Sequence, residues 1–154
     1  MITRAAAGAL LGAILASAAL VLFTRLDPSV RLDFDSDLPR QVTSGFHPVE
    51  RSPSETFVWT TQQATVNLRG LDRDTAWQCV VRLRAARPAR AAPADVAMGV
   101  DGLTVRRHRP DDAWEEIAVD AAARPGVSGL SLTIATTPTF VPGASDARAL
   151  GVQL

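Results

Sequence analysis

The chain of 154 residues has room for one membrane segment and one domain of little more than a hundred residues, which excludes an architecture of two enzyme-sized domains. Its 16 basic residues, all arginine, balance 16 acidic ones, so no global field recruits nucleic acid or coats an anionic bilayer. Apolar residues reach 47 %, much of it alanine, while aromatics are only 5 % and tyrosine is absent, leaving few side chains that offer large contact areas.

Residues 5–23 run without a charge between Arg4 and Arg25. A helix of that length spans about 28 Å, close to the ~30 Å hydrocarbon thickness, and so predicts a bilayer-crossing anchor over residues 1–26. Ala16-Ser17-Ala18 also fits the small-x-small pattern of a signal-peptide cleavage site, but residues 19–23 stay apolar beyond it, which favours an uncleaved anchor. Gly8 and Gly12 have the spacing that lets a second membrane helix approach closely. The expected location is therefore the membrane, single-pass, with the rest of the chain extracytoplasmic.

Beyond Asp27-Pro28 the helical period gives way to an alternation of two, the signal of strands. Residues 27–56 read as a juxtamembrane linker with a first strand or loop, including a weak strand at 30–34, and residues 57–154 as a β-domain. Phe57, Trp59 and Thr61 share one face, and Ala64, Val66 and Leu68 form the next apolar set. Trp77, Cys79, Val81 and Leu83 alternate with Gln78, Val80, Arg82 and Arg84, a strand with one wet face. The prolines at 88 and 93 make the alanine-rich stretch from 85 to 94 a loop rather than a helix.

Next, Val96, Met98 and Val100 precede Asp101-Gly102, a dipeptide suited to a type I′ turn, and Leu103 and Val105 follow it. A two-residue turn in regular register places all five apolar side chains on one face. Further strands are expected at residues 114–119, 130–135 and 149–154. The last still alternates at Leu154, which fits either a longer polypeptide or a partner continuing from there or a final edge strand. Eight or nine short strands without an amphipathic helix predict an all-β, antiparallel two-sheet sandwich, with jelly-roll-like connectivity as the chosen topology, preceded by the single transmembrane helix.

Little in the chain points to catalysis. Cys79, the single cysteine, lies on an apolar strand face without a nearby base and is expected to be a buried structural thiol. His47 and His108 are far apart and lack ligand-spaced partners, so a zinc site is not expected. No nucleophile elbow, phosphate-cradling glycine loop or His-Glu-x-x-His helix occurs, and no cofactor is implied. Asp33, Asp35 and Asp37 are the only weak metal candidates; Leu38 and Ser44 replace the glycine and glutamate of an EF-hand loop, and a solvated acidic segment is the simpler expectation. Glu50, Glu55, Glu115 and Glu116 could furnish a glycosidase pair only through tertiary spacing. Seven arginines between residues 82 and 109 face two acids, Asp95 and Asp101; they form either a solvated face or a contact for phosphates of lipid headgroups or a lipid-linked sugar.

The most distinctive stretch is Gly45-Phe46-His47-Pro48-Val49-Glu50-Arg51 followed by Thr56-Phe57-Val58-Trp59-Thr60. It resembles the extracytoplasmic β-sandwich that follows the first membrane helix in certain large bacterial multi-pass membrane proteins of glycosyltransferase-like type. There a Gly-Phe-aromatic-Pro-x-Glu loop leads into a Phe-x-Trp-Thr strand; His47 stands here in place of the usual aromatic. Looser matches are Gly70-Leu71-Asp72, the Asp101-Gly102 hairpin, Trp114-Glu115-Glu116 and Thr139-Phe140-Val141-Pro142-Gly143. The resemblance covers residues 41–154 and implies a carbohydrate-binding-like accessory domain of a membrane glycosyltransferase system, with a multi-pass membrane partner. Transferase activity does not carry over, because no multi-pass catalytic part is present.

His47, Glu50, Arg51 and Trp59 combine an aromatic face with groups that bond hydroxyls, as sugar recognition requires. Equally, Glu50 and Arg51 could bond backbone groups at a structural corner, with Trp59 filling the core. The expected function is a non-enzymatic sugar-binding or substrate-positioning module. Two alternatives stand beside it: a ligand-free docking or spacer domain, and the amino-terminal fragment of a membrane glycosyltransferase.

Overall fold

A computed structural model of the protein describes Ser17, residues 29–34 and residues 42–154. The predicted membrane helix at 5–23, the Gly8/Gly12 pair and the acidic residues Asp35 and Asp37 lie outside the described residues, apart from Ser17. Among the described residues no helix is long and apolar enough to cross a membrane. The chain divides into two units, Met1–Leu32 and Asp33–Leu154. No strand forms at 30–34, where Val30 and Leu32 are exposed and find no pairing partner.

The second unit contains nine strands among the described residues: β1 (Thr43–Phe46), β2 (Glu50–Arg51), β3 (Thr56–Phe57), β4 (Thr60–Asp72), β5 (Trp77–Leu83), β6 (Asp95–Val100), β7 (Leu103–His108), β8 (Glu115–Ala121) and β9 (Ser128–Thr137). Five of them form one sheet in the order β1-β4-β9-β6-β7, antiparallel throughout. Opposite lie two antiparallel pairs, β2-β3 and β5-β8. The fold is all-β and sandwich-like.

Residues 150–154 join those two pairs. Expected as a regular strand, they instead make isolated bridges. Gln153 pairs with Trp59 on one flank and with Arg84 on the other. Backbone bonds from Thr60 to Val152 (2.9 Å), from Leu154 to Val58 (3.0 Å) and from Gln153 to Arg84 (3.0 Å) stitch the segment in. Gly151 is required there: a Cβ would fall on Thr60 Oγ1 and lie 2.7 Å from the Thr61 carbonyl oxygen.

Strand β5 follows its sequence pattern, with Val81 and Leu83 buried while Gln78, Val80 and Arg82 face solvent. Its inner side chains meet those of β6, β8 and β9, including Met98, Ile117, Val119 and Ile134, in one core; each full burial of such a side chain contributes roughly 1.5–3 kcal/mol. Cys79 packs partly buried against this core, and burial pushes its thiol up from the ordinary value, in keeping with a structural role.

The β6-β7 hairpin corrects one expectation. Asp101 and Gly102 take the positive φ angles of the predicted turn, 51° and 84°, and Val100 lies opposite Leu103. The register then shifts: Met98 pairs with Arg106, so Val105 is an extra, bulged residue. Val96, Met98 and Val100 are at most 5 % exposed, whereas Leu103 is 71 % and Val105 48 % exposed. The apolar set is split because β7 is the edge of its sheet and the bulge takes Val105 out of the inward-facing alternation.

Candidate functional site

Glu50 of β2, Trp59 between β3 and β4, the end of the 85–94 loop nearest β5 and the segment from 140 to 150 meet around an open cleft of about 360 Å³. Its walls include Glu50, Trp59, Arg87, Phe140, Asp146 and Arg148. Two of the four residues proposed from sequence, Glu50 and Trp59, therefore share one cavity.

Trp59 is 6 % exposed. Its ring packs edge-on against Phe57 (centroids 6.3 Å apart, planes at 90°) and against Phe140 (5.5 Å, 72°). Val58 and Thr60 beside it are buried as well, since the C-terminal segment covers this stretch. Trp59 thus forms the floor of the cleft rather than an open stacking platform, and the more accessible ring is that of Phe140.

Glu50 sits on β2 and is half-buried. Its Oε1 accepts a 2.7 Å bond from Arg148 Nη1. Arg148 also grips Asp146 in a fork: Nε donates to Oδ1 at 2.9 Å and Nη2 to Oδ2 at 2.7 Å. The forked side-chain bond and the Arg148 backbone N–H hold the Asp146 carboxyl down at about 2, and the two carboxylates in turn raise the Arg148 guanidinium above its ordinary value.

His47 stands beside this network. Its Nε2 donates to the Ala149 carbonyl oxygen at 3.2 Å, and its backbone N–H donates to the Trp59 carbonyl at 2.9 Å. Arg51, exposed on β2 opposite Thr56, is not among the residues lining the cleft.

Arg87 enters from the loop that the sequence places between β5 and β6. Its Nη1 donates to the Ala92 carbonyl (2.8 Å), and Nη2 to those of Pro138 (2.5 Å) and Gly151 (3.3 Å). The guanidinium carbon lies 5.3 Å from the Phe140 ring centroid, and burial lowers the group's pKa. Asp146, Arg148, Phe140 and Arg87 were not singled out individually in the sequence. An available signal was Asp146-Ala147-Arg148, whose i, i+2 spacing puts opposite charges on one side of an extended chain.

The remaining arginines of the 82–109 cluster are dispersed. Arg82 and Arg84 stack on the Trp114 ring at 4.8 and 4.5 Å, and Arg84 also binds Glu55 and, at 2.6 Å, Gln153 Oε1. The Trp114 indole N–H, then Arg84, hold Glu55 below the usual carboxylate range. Arg106 donates to the Ala118 carbonyl, and Arg109 pairs with Asp95. Glu50 and Glu55 are thus bound by different arginines, and Glu115 faces His108 at 2.8 Å. Among the described residues no three His, Cys, Asp or Glu side chains converge as metal ligands; Asp33 is exposed, and its proposed companions lie outside that set.

No protein-family model matches the chain, and no curated protein matches it.

Proposed function

We propose that the protein is a membrane-anchored, extracytoplasmic β-sandwich module of jelly-roll-like connectivity that binds carbohydrate, or positions a sugar-bearing substrate, for a cell-envelope glycosyltransferase system. The observation that carries this reading is the cleft: Glu50, Asp146 and Arg148 form a fixed polar wall beside the Phe140 ring. Held carboxylates accept hydrogen bonds from hydroxyls without reorganising, and an aromatic ring offers an apolar surface to the C–H face of a sugar. The anchor at 5–23 supplies the bilayer contact, and a multi-pass membrane protein is the expected partner.

Full-length protein in a detergent without a sugar headgroup, applied to a glycan array, tests the binding. Signal on a subset of glycans that is lost in Glu50→Ala and Phe140→Ala supports it; a blank array with folded protein refutes it. Resistance of the native protein to alkaline extraction from membranes tests the anchor. A second reading, a docking domain without ligand, is favoured by the burial of Trp59 and predicts the blank array.

A further inference from the structure

The two arginines of the cleft are not equivalent. Arg148 is matched by two carboxylates, whereas the Arg87 guanidinium meets only carbonyl oxygens among the described residues, and its buried Nε has no acceptor at all. Carbonyls orient a guanidinium but do not neutralise it. A partly desolvated charge without a counter-charge is costly, and the cost is recovered when an oxyanion arrives.

The acidic part of the same lining has the complementary deficit. Glu50, Asp146 and Arg148 together bear one excess negative charge, and Glu50 Oε2 accepts no bond from any described residue. That wall repels a second anion but welcomes hydroxyl donors. The Phe140 ring, against which the Arg87 guanidinium rests, lines the same cleft.

We propose that the cleft takes an anionic carbohydrate: a hydroxylated ring bearing one oxyanion, carboxylate or phosphate, with the oxyanion paired to Arg87 and hydroxyls donating to Glu50. This assignment rests on the carbohydrate-binding function proposed above and narrows it to acidic ligands. With Nη2 engaged by two carbonyls and Nε buried, the second N–H of Nη1 is the donor left for the oxyanion, and either oxyanion suits that charge-assisted contact.

Calorimetric titration of full-length protein, in a polyoxyethylene detergent, with glucuronate, glucose 1-phosphate, glucose and inorganic phosphate is the test. At least one of the two acidic sugars is expected to bind about ten-fold or more tightly than glucose, as one charge-assisted bond implies, and the preference is expected to shrink with added salt. The wild-type series decides the matter without a variant. Arg87→Lys, which keeps the charge and loses the guanidinium, is expected to retain part of the preference; Arg87→Gln, with its fold checked by circular dichroism, is expected to abolish it. Equal affinity for glucose and both acids overturns the anion assignment and leaves carbohydrate binding standing. Inorganic phosphate binding as tightly as glucose 1-phosphate, with glucose inert, overturns the carbohydrate half. Absence of heat in every arm overturns both.

Discussion

Arg73 Nη1 donates to Asp101 Oδ2 at 2.9 Å, joining the end of β4 to the β6-β7 turn across 28 residues of sequence. Arg73 has no exposed surface, and its other bonds reach the carbonyls of Ala122 (2.6 Å) and Gly129 (3.3 Å). Burial pushes the Asp101 carboxyl up, but the Ser131 N–H, Arg73 and Arg124 outweigh it and hold the group below the usual carboxylate range. The turn residue is therefore also an ionic anchor for three chain segments.

Removing Asp101 leaves the buried Arg73 charge with carbonyl oxygens alone, and removing Arg73 leaves Asp101 to the half-exposed Arg124 and the Ser131 N–H. Arg73→Met and Asp101→Asn are each expected to destabilise the domain by about 3–5 kcal/mol, with Asn chosen because it tolerates the positive φ at 101. Urea unfolding followed by tryptophan fluorescence measures this. A loss below 1 kcal/mol in both variants would show that the ion pair does not hold the turn.

The corrected hairpin register makes a contrasting prediction. Leu103→Thr, at an exposed edge position, is expected to change stability by less than about 0.5 kcal/mol, whereas Met98→Ala is expected to cost about 2–5 kcal/mol. If Leu103→Thr proves as damaging as Met98→Ala, the Leu103 side chain is buried in solution and its exposed edge position is refuted.

What was legible in the sequence follows from which interactions are local. The wet and dry faces of β5 are written in its alternation, and the positive-φ turn at Asp101-Gly102 follows from residue type alone. The bulge at Val105 was not legible, because it depends on β7 being an edge, which only sheet order decides. Arg73 comes directly after the end of β4, and an arginine there reads as solvated until Asp101 arrives from the β6-β7 turn. The cleft was half legible. Glu50 and Trp59 belong to a distinctive segment, but their partner Arg148 is 98 residues away from Glu50, and Arg87 looked like one member of a basic run.

The packing of the C-terminal segment predicts a sharp intolerance at Gly151. Alanine there would drive a methyl group into Thr60 and the Thr61 carbonyl, forcing the 150–154 segment away from Val58–Thr60. A loss of about 1–3 kcal/mol is expected from such overpacking, and the cleft is expected to be disturbed with it because Leu150 and Trp59 line it. A Gly151→Ala protein with an unchanged urea midpoint would contradict the close approach.

The Asp146–Arg148 fork predicts how the domain responds to acid. The Asp146 carboxyl falls from an ordinary 3.8 to about 2 on folding, with the Arg148 side-chain bond as the chief cause. Its folded pKa is depressed, so its contribution is fully present above about pH 4 and is lost as pH falls through about 2. Asp101 and Glu55, also depressed, act in the same direction. Thermal melting of wild type between pH 5 and pH 2 is therefore expected to show a falling Tm. Asp146→Asn removes one titrating group from the folded-state balance, so its Tm should start lower at pH 5 and decline less steeply, the two curves converging toward pH 2. Parallel curves with a constant offset would mean that Asp146 contributes no proton-linked stability and that the fork with Arg148 is not maintained in solution.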